Sequence, residues 1–194
     1  MSRPRGKASV RQAVIEAATE LFAERGPANV SIRELAARAG VNHGLIHRHF
    51  GSKDGLLQAT MEQLAAGVAD SIGPDAPSES LADLLQTTFG ATEDATHWKI
   101  LARSILDGTP VSELQDEFPV VNRMLAAAAR GASGPLSPNA LVTLLLAGGL
   151  GLLLFEPYLR EATGQQADSK WKTTREELAA LAFRSSSLSQ STKK

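Results

Sequence analysis

Hydrophobic and polar positions recur at the helical period along almost the whole chain. Val10, Ala13, Val14, Ala17, Ala18, Leu21 and Phe22 follow the i, i+3, i+4, i+7 spacing of one buried helix face. Ser9 and Gln12 read as an S-x-x-Q capping box at its start, and Gly26-Pro27 ends the run. Ser31-Ile32-Arg33-Glu34 is a second capping box, followed by Ile32, Leu35, Ala36 and Ala39 on one face and stopped at Gly40. That predicts a helix of only about two turns. Asn42 is a good N-cap for a third short helix with Leu45, Ile46 and Phe50 inward, ending at Gly51. Ser52 caps a fourth, whose buried stripe is Leu57, Met61, Leu64, Val68 and Ile72.

The segment GPDAPSES, Gly73 to Ser80, has the composition of a loop. Beyond it, helices are expected over roughly 79–92, 94–107, 119–132, 138–163 and 173–184. Ser137-Pro138 offers an N-cap followed by Pro at the first helical position, and Thr174 with Glu177 makes another capping box. No alternating run demands a strand, so the expected fold class is all-α. The tail from Ser185, SSSLSQSTKK, is expected to be mobile. The longest uncharged apolar stretch, Ala140 to Phe155, is 16 residues. As a helix it measures roughly 24 Å, against roughly 30 Å of bilayer hydrocarbon. With Pro138 before it and Glu156-Pro157 after it, it reads as a buried core helix, and no membrane partner is expected.

Composition narrows the class further. At 194 residues, 43% hydrophobic and 21% charged, with 16 Gly and 9 Pro, the chain is neither disordered nor collagen-like. The absence of cysteine excludes a disulfide framework, a thiolate nucleophile and Cys-based metal sites, and fits a reducing compartment. The start, MSRPRGKAS, is basic but leads into no apolar run of signal-peptide type, so the expected location is the cytoplasm. The net charge of -1 hides an asymmetry: residues 1–55 hold nine Lys/Arg against five acids, and the remainder 11 against 16. A basic module on an acidic body suggests that one end meets a polyanion.

The second helix, the turn at Gly40 and the third helix make a helix-turn-helix pattern. A major groove roughly 12 Å wide admits one helix, whose N-terminal part comes closest to the base edges. Here that part is Asn42, His43, Gly44 and Leu45. Asn and His can hydrogen-bond bases, and Gly removes a side chain that would hold the backbone away. His47, Arg48, His49 and Lys53 follow, and Ser31 and Arg33 open the second helix. Cations at the groove edge and the N-terminal amides of the second and fourth helices can meet phosphates. His43 and His47 stand four apart on one helical face, but no carboxylate or cysteine joins them within the motif, so no metal is expected. Arg3, Arg5 and Lys7 read as a solvated tail or as an arm lying along phosphates or in the minor groove.

Over residues 8–60 the chain resembles the DNA-binding domain of the tetracycline-repressor (TetR) family of bacterial regulators. The matching stretches are AATELFAERG at 17–26 and VSIRELAARAGVNHGLIHRHFGSKDGLL at 30–57. Within them, IHRHFGSKDGLL is similar to the family's Leu-Tyr-x-His-Phe-x-x-Lys-x-x-Leu-Leu. The resemblance implies that Asn42, His43, Gly44 and Leu45 read bases, that His49 and Lys53 contact phosphates, and that Ile46 and Phe50 are core. The family usually has a backbone-touching tyrosine where this chain has His47; histidine can still donate to a phosphate, in a pH-dependent way.

The resemblance also implies an all-helical C-terminal domain that dimerises, mostly through its last two long helices, and encloses a pocket for a small effector. The stretch LLLFEPYLREATG at 152–164 is similar to one found in many actinobacterial members. The expected division is a DNA-binding domain at 1–55, a ligand-binding and dimerisation domain at 56–184 and a tail at 185–194. Pocket candidates are Phe89, Trp98, Leu101, Ile105, Phe118, Met124, Leu152, Phe155 and Tyr158. Ala147, Gly148 and Gly151 are the small residues of a close helix approach, at a dimer seam or within one subunit, and Leu178 and Leu181 join them as interface candidates. The expectation is a homodimeric, ligand-responsive repressor acting on a palindromic double-stranded operator and released by a mainly apolar effector. It has no cofactor and no catalytic residues, since the chain lacks a phosphate-cradling Gly-rich loop and a nucleophile elbow. An activator, or a DNA-silent sensor of the same fold, is the alternative.

Overall fold

The structure is a computed structural model that describes residues 6–72, 80–85, 88, 96–131 and 135–187. The described residues are helical, with no strand. In chain order the helices are α1 (Lys7–Arg25), α2 (Ile32–Ala39), α3 (His43–Phe50), α4 (Lys53–Ile72), α5 (Leu81–Leu85), α6 (Thr96–Leu106), α7 (Pro119–Arg130), α8 (Pro138–Leu154), α9 (Glu156–Ala162) and α10 (Asp168–Ser187). Short 3-10 turns lie at Pro27–Asn29 and Val111–Glu113.

The chain divides into two compact units, residues 1–67 with 94–117, and residues 68–93 with 118–194. The core of the first is built on α1, whose Val14, Ala18 and Phe22 are fully buried. Around them close Leu35 of α2, Ile46 of α3, Leu56 and Met61 of α4 and Ile100 of α6. Most residues of the stripes read from the sequence pack in this core; Ile15 and Leu56, outside those stripes, join it, and Val68 of the fourth stripe does not. In the second unit Leu81 and Leu84 of α5, Met124, Ala127 and Ala128 of α7 and Val142 of α8 form a separate core.

Four local expectations are corrected. Helix α1 starts at Lys7 on an N-cap at Gly6 that has no side-chain bond, so Ser9 lies inside it and turns its hydroxyl back to the Gly6 carbonyl at 3.1 Å. Gln12 bonds Glu16 instead of closing a capping box. The helix expected over 138–163 breaks at Phe155, and α8 and α9 meet at a bend of 82°. Proline explains the break: Pro157 has no N–H for the carbonyl four residues back and its ring collides with it. Thr174 is likewise no cap, because α10 begins at Asp168, and the Thr174 hydroxyl donates to Gln165 Oε1 at 2.6 Å. Finally, α8 is no buried core helix: Val142 is its one fully buried residue, and Leu144 is 60% exposed. By contrast Ser137 caps α8 as its sequence predicts, accepting from the Ala140 N–H with Pro138 at the first position. Ser185–Ser187, expected in the tail, continue α10; the rest of the tail, half of the expected helix over 79–92, and Arg3 and Arg5 lie outside the described residues.

Candidate nucleic-acid interface

The frame of the site is two eight-residue helices held by local caps. Ser31 Oγ accepts from the Glu34 N–H at 3.3 Å while the Glu34 carboxylate accepts from the Ser31 N–H at 2.8 Å, a complete capping box at the start of α2. The Ser31 bonds, joined by Arg25 Nη1 at 2.9 Å, pull the Glu34 carboxyl down to about 2. Gly40 ends α2 in the left-handed conformation, φ 66°. Val41 N–H then bonds the Ala36 carbonyl and Gly40 N–H the Ala37 carbonyl, the Schellman pattern that turns the chain sharply. Only a residue without Cβ takes that φ at little cost. Asn42 follows as N-cap of α3, its Oδ1 accepting from the Gly44 N–H at 2.8 Å. A methyl at Gly44 would stand 3.3 Å from that same oxygen, so glycine there keeps the cap uncrowded.

This frame orients α3 by burying Ile46 completely and leaving Asn42, His43, Gly44, His47 and Arg48 exposed along the outer side. Leu45, His49 and Phe50 are half-buried, and the His49 ring lies 6.1 Å from that of Phe50. At the C-terminal end the Gly51 N–H bonds the His47 carbonyl at 2.9 Å, and His47 Nδ1 lies 3.1 Å from the Gly51 carbonyl oxygen. Helix α4 begins immediately after, with the Gly55 N–H capped by Ser52 Oγ at 3.0 Å.

Of the ten DNA-contact candidates, the structure gathers Ser31, Arg33, Asn42, His43, Gly44, Leu45, His47, Arg48, His49 and Lys53 onto α2, α3 and the first residue of α4, but not all are equally available. The Ser31 hydroxyl is engaged in the capping box and donates to Glu34 Oε2 at 2.6 Å. Lys53 is half-buried, its ammonium donating to the carbonyls of Pro27 at 3.0 Å and Val30 at 3.3 Å. Arg33 and Arg48 are exposed cations. A residue counted only in the charge balance also belongs here: the Arg11 guanidinium of α1 stands 5.5 Å over the Phe50 ring, a cation–π contact bracing α3 from behind. No local pattern signals it, because its partner lies on another helix.

The pocket candidates are divided between the two units. Trp98, Leu101 and Ile105 belong to the first unit, where Leu101 packs on the core and Ile105 is 47% exposed. In the second unit Met124 is core, Leu152 is half-buried, and Phe118, Phe155 and Tyr158 are exposed. Phe89 lies outside the described residues. His97, the lone histidine outside the basic module, is 7% exposed and edge-on to Trp98 at 4.7 Å; burial holds its pKa down to about 4. Among the interface candidates, Ala147, Gly148 and Leu178 are exposed and Gly151 half-buried, while the Leu181 side chain is outside the described set.

Comparison with known proteins bears on the same segment. The description "Bacterial regulatory proteins, tetR family" matches residues 14–60, from the middle of α1 into α4. The HTH-type transcriptional repressor Rv3405c of Mycobacterium tuberculosis is 42% identical over 161 residues, covering 83% of this chain and 81% of that one. A TetR-like transcriptional regulator from Rhodococcus sp. RHA1 shares the fold at a TM-score of 0.63 and 22% identity, over 93% of this chain and 97% of that one. So does NalD of Pseudomonas aeruginosa, the secondary repressor of the MexAB-OprM multidrug efflux pump, at 0.61 and 23% identity over 93% and 98%. A capped helix-turn-helix with its polar edge outward, together with a relative matched along most of both lengths, places the chain in the tetR family of bacterial transcriptional regulators.

Proposed function

We propose that the protein is a dimeric repressor that inserts α3 of each protomer into successive major grooves of a palindromic operator and is released by a small, mainly apolar effector bound in its second unit. The observation that carries the DNA-binding half is the outer edge of α3: a rigidly capped, two-turn helix whose exposed N-terminal residues, Asn42, His43 and Gly44, carry hydrogen-bonding groups and no bulk. With Asn42 Oδ1 held by the cap, its amide N–H groups are what it offers a base. Arg33 and Arg48 flank that edge as phosphate cations. The repressor designation of the 42% identical relative supports the sign of regulation. For the dimer, the support lies on α8: a Cβ added at Gly148 or Gly151 would meet no atom within 4 Å, so the small residues serve no close approach within the described chain.

Release follows from spacing. Two recognition helices must stand about 34–36 Å apart to enter successive grooves. An effector that favours another spacing disfavours the DNA-bound state, and by linkage DNA disfavours the effector. Footprinting on the promoter beside the protein's own gene tests the reading. A dimer making six to ten phosphate contacts should lose about 10³- to 10⁵-fold in affinity between 50 and 200 mM salt. Arg48→Ala should weaken all sequences alike and flatten the salt slope, whereas His43→Ala should change the preferred base. No protection of any duplex at 50 mM salt would refute it.

A further inference from the structure

His47 occupies an exposed position on α3, and one of its ring nitrogens already has a partner. The Gly51 carbonyl oxygen 3.1 Å from Nδ1 can only accept, so the bond requires the proton on Nδ1. Gly51 N–H in turn bonds the His47 carbonyl, closing a reciprocal pair that ties the ring to the end of α3. The two nitrogens lie on opposite edges of an imidazole, so this pairing turns Nε2 away from the helix end. In the neutral ring with its proton on Nδ1, Nε2 is a bare acceptor. A phosphate oxygen is also only an acceptor. The two can bond only when His47 carries a second proton.

We propose that His47 contacts a DNA phosphate as an imidazolium, so that each protomer takes up a proton on binding duplex DNA. The inference rests on the reading of α3 as the DNA-facing helix and adds the chemistry of one contact to it. Among the described residues the His47 ring bonds no group other than the Gly51 carbonyl. On α2, Glu34 is bonded to Ser31 and Arg25, and Arg38 to Glu20 of α1. Arg11 of α1 stands over Phe50, Lys53 of α4 faces the Pro27 and Val30 carbonyls, and Asp54 is exposed in the first turn of α4. Among the described residues no carboxylate pairs with His47, so the phosphate itself would be the counter-charge that raises the proton affinity.

The probes are a labelled duplex from the promoter beside the gene and an unrelated duplex of equal length, each titrated with full-length protein at constant salt from pH 6 to pH 8, the range in which imidazoles titrate. The wild type should bind both about 10- to 100-fold more weakly at pH 8 than at pH 6. Calorimetry at pH 7 in two buffers of different ionisation enthalpy should show net proton uptake. His47→Tyr, whose hydroxyl donates at every pH in this range, should bind with a flat pH profile and more tightly than wild type at pH 8. His47→Gln should be flat as well, and stands in if the tyrosine variant fails to fold. His43→Asn and His49→Asn should keep the wild-type slope. In the free protein at pH 8, nitrogen NMR should find the His47 proton on Nδ1. Binding that is strong but flat with pH, a slope that survives in His47→Tyr or disappears in His43→Asn, or a proton on Nε2 would each overturn the proposal. Binding of neither duplex at any pH would overturn the DNA-binding reading itself and this inference with it.

Discussion

A lysine ammonium has three N–H donors, and at Lys53 two of them are already given to the carbonyls of Pro27 and Val30. The side chain thus ties the start of α4 to the turn that leads into α2. Lys53→Met should cost about 1–3 kcal/mol of stability in urea denaturation, because it removes charge-assisted bonds and strands two carbonyls, with little change in the salt slope of DNA binding. An unchanged stability with a flattened slope would mean that Lys53 serves phosphates instead. A second residue-scale prediction concerns His97, whose buried ring stays neutral in the fold down to about pH 4. The unfolded chain takes up that proton below about pH 6.5, so the associated stability is complete above that pH and is lost on acidification towards pH 4. His97→Phe should remove that stretch of the stability–pH curve, followed by Trp fluorescence; a wild-type curve flat over this range would contradict the assignment. At this scale the sequence was legible where one residue serves a helix end directly, as at Ser31, Asn42 and Ser52. It misled at Ser9 and Thr174, where the pattern is right but the helix starts earlier. It could not show where the long Lys53 side chain would reach.

Between elements the tightest constraint is at Gly55. A Cβ there would fall 2.2 Å from the Phe50 carbonyl oxygen, so the first turn of α4 lies directly on the end of α3, and only glycine permits it. Gly55→Ala must separate the two helices. The expected outcome is a loss of about 1–3 kcal/mol, as for other overpacked sites, together with weaker DNA binding because α3 is re-aimed. Thermal unfolding and DNA titration on the same variant check both; unchanged values in both would show that the contact relaxes freely. Helices α2 and α3 are short enough for their caps to define them, which is why the motif could be read almost to the residue. Helix α6 was legible as a helix but not in its allegiance. Its Ile100 enters the first unit's core, and Arg103 Nη1 donates to the Ala23 carbonyl at 2.8 Å, across 80 residues of sequence. A bond of that range supports the last turn of α1, and no local period can encode it.

For the molecule as a whole, the unresolved balance is the apolar surface of α8. The helix has no charged residue, yet within the chain only Val142 is fully buried. Its Leu144 and the nearby Phe155 and Tyr158 are 60%, 60% and 70% exposed. The sequence reading placed this segment in the core because it is too short to span a bilayer and is closed by Pro138 and Glu156-Pro157. The described residues of one chain do not cover it. Among the described residues no single helix is long and apolar enough to cross a membrane, and α8 with α9 qualifies by length only as a pair bent by 82°. A second copy laid on Gly148 and Gly151, where a Cβ would meet nothing among the described residues, fits the small residues and the two-fold geometry of a palindrome together. Gly148→Arg separates the alternatives, because the variant adds bulk only to a surface that is open in the protomer. Its helicity should match wild type, while sedimentation should find a dimer for wild type and a monomer for the variant. Operator affinity should fall on the order of 100-fold, as each recognition helix loses the effective concentration provided by its partner. If wild type sediments as a monomer, or if the arginine variant stays dimeric and binds DNA as before, the protomers do not meet on α8.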